Sequence, residues 1–131
     1  AYRPQLGVYE SPDAHLGHLL DAQLRAVRLV VDTGLHHQGW SRERAIEYYR
    51  QQLGAQEWEA RSQIERYMVW PGQALAYAIG RITIERLRDQ ARAALGERFS
   101  LSGFHDQVLG SGSLPLAVLA AKIERWIACQ G

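Results

Sequence analysis

Taken at 100° per residue, Leu16, Leu20, Leu24, Val27, Val31 and Leu35 line one side of a helix predicted over Asp13 to His37. His18, Asp21, Arg25, Arg28, Asp32 and His36 line the opposite side, interrupted once by Leu29. The apolar stripe is made for a core. The ionisable stripe is poor in the Glu and Lys that usually solvate a helix surface. Asp32 and His36 stand four residues apart, so the carboxylate is expected to reach the imidazole and fix its tautomer. The same spacing also describes an ordinary surface contact.

The pattern repeats at helical period along the rest of the chain. Residues 1–13 read as an extended lead-in punctuated by Pro4, Gly7 and Pro12, and Ser11 with Pro12 and Asp13 makes a helix start. Ser41 caps a second helix, Arg42 to Leu53, closed by Gly54, with Ile46, Tyr49 and Leu53 on its apolar side. A third helix runs from about Gln56 to Val69 and is broken at Trp70, Pro71 and Gly72. A fourth, starting at Pro71 or Gly72 and ending at Gly96, carries Leu75, Ile79, Ile82 and Leu87 on one face. Ser102 is expected to cap a short helix from Gly103 to Leu109, and Pro115 to open a last one with Leu116, Leu119, Ile123 and Ile127 inward. No strand pattern or internal repeat is present. The predicted class is all-α, about six helices in an irregular bundle, with residues 14–131 forming a single helical domain. Trp40, Trp58, Trp70 and Trp126 are too scattered for a stacking platform and are expected in the core.

Composition narrows the function. The 131 residues are 47% hydrophobic, and 15 basic against 14 acidic side chains leave a net charge of +1. That balance gives no support for a nucleic-acid partner, whose footprint is an excess of Lys and Arg. No apolar run approaches a membrane span. The chain opens without Met and without a charged-then-apolar leader. The single cysteine, Cys129, excludes an internal disulfide and a Cys-based zinc site. The compartment is not readable.

Nucleophilic chemistry has no obvious carrier, because the serines stand at caps and turns. No HExxH motif is present, and His15 with His18, or His36 with His37, do not have the four-residue spacing of a helical zinc pair. No metal site is therefore expected in the chain. The informative cluster is Arg66 and Tyr67, then Pro71, Gly72, Gln73 and Tyr77. Gln73 and Tyr77 share a face near a helix N-terminus, donors suited to a carbonyl oxygen, an oxyanion or a carboxylate. A boundary tyrosine and a surface arginine would explain the same residues. His105, on the short helix, reads as a surface or satisfied histidine.

Taken together, these segments resemble the C-terminal part of the bacterial domain-of-unknown-function family 885. The resemblance is carried by Arg28 through Asp32 to His36, Gly39-Trp40-Ser41, Ala45-Ile46, Arg66-Tyr67, Pro71 to Leu75, Tyr77 and Gly80. Leu87-Arg88, Leu95-Gly96, Phe99, Phe104-His105-Asp106, Leu109-Gly110, Gly112 and Pro115-Leu116 continue it in order. The resemblance implies a largely helical zinc metallopeptidase whose HE…GH zinc helix and further acidic ligand lie upstream; none of those residues is in this chain. It implies that the chain supplies side chains to a peptidase and is inactive alone, with zinc belonging to the intact parent. His36, held by Asp32, and Tyr77 would supply the donors to the oxyanion, and Arg66, Gln73, Tyr67 and His37 would bind the peptide substrate. The expected partner is the N-terminal part of the parent, docked on an apolar surface through which the chain could also self-associate. A free-standing helical domain that binds peptides or proteins is the competing reading.

Overall fold

Ser11 opens the first helix, its hydroxyl accepting from the Ala14 N–H at 3.1 Å, with Pro12 at the first helical position. The computed structural model describes residues 11–130. It contains α1 (Pro12–His36), α2 (Arg42–Leu53), α3 (Glu57–Val69), α4 (Ala76–Leu95), α5 (Leu101–Leu109) and α6 (Leu116–Gln130). Short 3-10 turns at Gln73–Leu75 and Gly96–Arg98 flank α4. Among the described residues there is no strand, and the class is all-α. Among the described residues no helix is long and apolar enough to cross a membrane. The lead-in over residues 1–10 lies outside the described residues.

The chain divides into two compact units, one ending at Ala78 and the other beginning at Ile79. In the first, α1 packs on α2 and α3, and α3 lies alongside α2. Val27, Val31, Ala45, Ile46, Tyr49, Ala60, Ile64, Tyr67 and Ala74 form its core. Each fully buried aliphatic side chain there contributes about 1.5–3 kcal/mol. In the second unit, Leu87 and Ala91 of α4, Phe104 of α5, and Leu119 and Ile123 of α6 form a separate core.

The turn between α1 and α2 depends on Gly34. The Trp40 indole lies so close that a Cβ on residue 34 would stand 2.5 Å from its Cδ2. Arg44 covers the same indole at 4.3 Å, and Tyr48 meets it edge-on at 5.4 Å. Gly34 thus seats Trp40 against the end of α1.

Four expectations need correction. The fourth helix does not begin at Pro71 or Gly72: Gly72 has a φ of 82°, in the left-handed region, so regular helix starts only at Ala76. The cap of α5 is Ser100, whose hydroxyl accepts from the Gly103 N–H at 3.1 Å, and not Ser102. Trp58 and Trp70 are 74% and 60% exposed, so only Trp40 and Trp126 pack against a core. The apolar stripe of α1 is buried only in its second half. Leu16 and Leu20 are exposed, and Arg28 and Asp32 of the polar stripe are buried instead.

Candidate functional site

The polar stripe of α1 is buried where the chain leaving α3 crosses it. Both carboxylate oxygens of Asp32 accept from the Gly72 N–H, each at 3.1 Å. Asp32 is 2% exposed, and this bond satisfies it at the tight turn after Trp70. The turn then places Gln73 beside α1, where its Oε1 accepts from an Arg28 Nη at 3.2 Å. One turn further on, Tyr77 faces α1 as well. Its ring centroid lies 5.1 Å from Arg25 Cζ and 5.6 Å from Arg28 Cζ.

The expected Asp32–His36 pair is not formed. His36 Nε2 lies 3.0 Å from the Tyr67 carbonyl oxygen. A carbonyl only accepts, so Nε2 carries the proton and donates, which leaves Nδ1 as the free nitrogen. The tautomer is therefore set by a backbone carbonyl of α3 rather than by a carboxylate. Neutral, the free nitrogen accepts a hydrogen bond; protonated, it donates one.

Tyr67 is fully buried at the centre of the arrangement. Its hydroxyl donates to Gln63 Oε1 at 3.2 Å, and Arg66 donates to the same oxygen at 2.6 Å. Its ring carries Arg28 at 5.5 Å and Arg66 at 5.0 Å, both within cation–π range. Tyr49, buried in the core below, has its phenol pushed up to about 12, chiefly by burial, with the neighbouring Tyr67 and Glu59 adding to it. At the edge, Arg42 donates to Glu65, and that bond raises the guanidinium's already high pKa.

Six of the seven candidate residues are thus linked, Asp32 through Gly72 to the neighbouring Gln73, and His36, Arg66, Tyr67, Gln73 and Tyr77 through direct contacts and through Arg28. The seventh, His37, is the exposed C-cap residue of α1. Sequence reasoning placed Arg28 on the stripe but gave it no role, although it touches Gln73, Tyr67 and Tyr77. The available signal was its spacing, one turn before Asp32 and one after Leu24. Tyr77 is 59% exposed, and its hydroxyl has no hydrogen-bond partner among the described residues. Accessible hydrogen-bond donors beside a buried cation suit a group that carries or develops negative charge. Among the described residues no three His, Cys, Asp or Glu side chains come together as a metal site.

A crystal structure named "putative lipoprotein" from Colwellia psychrerythraea superposes with a TM-score of 0.90 at 49% sequence identity. The match covers 95% of this chain and 22% of that one, so the chain spans about a fifth of its structural relative's length. No curated protein matches the chain. The model of a family described as bacterial protein of unknown function, DUF885, matches residues 4–123. The chain belongs to the DUF885 family.

Proposed function

We propose that this chain forms a substrate-facing wall of a peptide hydrolase, supplying donors that stabilise the oxyanion formed when a nucleophile adds to a peptide carbonyl. The observation that carries this reading is the bond from Gly72 to Asp32. It places Gln73 against Arg28, and the following turn leaves the Tyr77 hydroxyl accessible. Tyr77 donates to the oxyanion, and His36 joins it through Nδ1 when protonated. Asp32 acts by positioning the turn. Arg66, Gln73 and His37 hold the substrate around the reacting bond, and the buried Tyr67 carries Arg28 and Arg66 on its ring.

Zinc enters this reading through the family resemblance alone. The described residues bring no ligand set together, so the metal would be held elsewhere in a longer parent, and no step is assigned to it. The exposed Leu16, Leu19 and Leu20 of α1, Met68 and Val69 at the end of α3, and Trp70 after it support docking against further chain. In the intact protein, Tyr77→Phe is expected to lower kcat by roughly 100-fold or more, the cost of one oxyanion donor, with metal content unchanged. Unchanged turnover would remove Tyr77 from the chemistry.

A further inference from the structure

Three arginines and two tyrosines alternate on this face in the order Arg25, Tyr77, Arg28, Tyr67, Arg66, each neighbouring pair separated by 5.0 to 5.6 Å from guanidinium carbon to ring centroid. The three cations differ in their counter-charges. Arg25 is paired with Asp21. Among the described residues Arg28 and Arg66 pair with no acid; each donates to a neutral glutamine oxygen, Gln73 Oε1 and Gln63 Oε1 respectively. Asp32, one turn from Arg28, keeps both oxygens on Gly72. A glutamate at 63 or 73 would supply a similar bond and neutralise the cation. Glutamine supplies the bond and leaves the charge.

That charge is held out of water. Arg28 is 9% exposed, and its Nε is buried without a hydrogen-bond partner among the described residues. The Arg66 Nε is buried in the same condition. A desolvated cation lacking an acid is unfavourable by itself and favours an incoming anion. The tyrosine faces hold the guanidinium without cancelling its charge. Tyr77, the exposed member, forms the mouth of the site.

We propose that Arg28, with Gln73 beside it, binds the free carboxylate of a peptide's C-terminal residue, so that the site selects substrates cut near that end. A single guanidinium fork beside a neutral amide matches a planar, singly charged carboxylate. The proposal names the group recognised at the site described above and rests on that site facing substrate. Its test reads binding and not turnover.

The test is calorimetric titration of the intact protein with N-acetyl-alanine and with N-acetyl-alaninamide. The acid is expected to bind at least tenfold more tightly than the amide. Arg28→Gln should abolish that preference and leave the weak amide affinity unchanged. Gln73→Glu, at an exposed position, gives Arg28 an internal carboxylate and should abolish it too; this variant carries the test if Arg28→Gln does not fold. Equal binding of acid and amide, or a preference that survives Gln73→Glu, overturns the proposal. Displacement of the acid by inorganic phosphate more readily than by acetate overturns the carboxylate assignment. Absent acid preference alongside impaired turnover in Tyr77→Phe overturns this inference and leaves the hydrolase reading standing. An intact preference in a protein that cleaves no peptide does the reverse.

Discussion

Asp32 directs both of its carboxylate oxygens at one backbone N–H, that of Gly72, at 3.1 Å each. The acid is buried, so this bond fixes the turn after α3 against the second half of α1. Gln73 and Tyr77 inherit their positions from it. A residue that looks like a histidine's partner on its own helix is a loop anchor across the fold.

Asp32→Asn keeps the shape and loses the charge-assisted bond. A carboxamide offers one oxygen where the carboxylate offers two. The expected cost is about 1–3 kcal/mol, as for a weakened buried polar pairing. Urea denaturation would measure it, and faster hydrogen exchange at the Gly72 amide would localise it. An unchanged Gly72 exchange rate would show that the turn is held by other contacts.

Gly34→Ala would put a methyl group 2.5 Å from the Trp40 indole. Overpacking of this kind costs about 1–3 kcal/mol. Added to Trp40→Ala, the same alanine should cost much less than it does alone, because the clash has gone. A double-mutant cycle on thermal or urea unfolding checks this; additive effects would contradict the close approach.

The raised pKa of Tyr49 makes stability fall in alkali. Above its ordinary value of 10.0 the unfolded chain releases the proton first, while the folded chain holds it up to about 12. The contribution is therefore complete below pH 10 and is lost as pH rises toward 12, with a slope of about 1.4 kcal/mol per pH unit. Urea midpoints from about pH 9 to about pH 11.5 should show this decline, and Tyr49→Phe should flatten it. An equal slope in the variant would assign the effect to other groups.

Trp58 is largely exposed, and Trp40 packs against Gly34, Arg44 and Tyr48. Trp58→Ser should change stability by less than about 0.5 kcal/mol. Trp40→Ala should cost about 3 kcal/mol or more. Chemical unfolding of the two variants distinguishes them directly.

The helices were legible because their punctuation is local. Ser11 with Pro12, Ser41, and Gly54 mark starts and a stop within a few residues of each boundary. Ser100 and Ser102 lie two residues apart with the same capping chemistry, and only geometry chooses between them. Candidate residues could be named from the family resemblance and from helical spacing, but their contacts could not be read from either. The rule that i and i+4 residues meet joins Asp32 to His36; it cannot anticipate a backbone N–H forty residues away. Arg28 stands on the ionisable stripe, but helical spacing alone gives it no partner and so no role. Its burial comes from the α3–α4 turn crossing α1, which no pattern within α1 encodes. Trp58 and Trp70 show the converse, since an apolar side chain does not specify that anything covers it.

The site's contacts also set an order of events for a chain made from its N-terminus. Asp32 meets Gly72 over 40 residues, Arg28 meets Gln73 over 45 and His36 meets Tyr67 over 31. Until the turn after α3 has left the ribosome, Arg28 and Asp32 of α1 lack these partners. Loop closures of that length follow local helix formation. The site is thus completed only after Tyr77 has emerged, and an anion bound at Arg28 would report that the first unit of the fold has assembled.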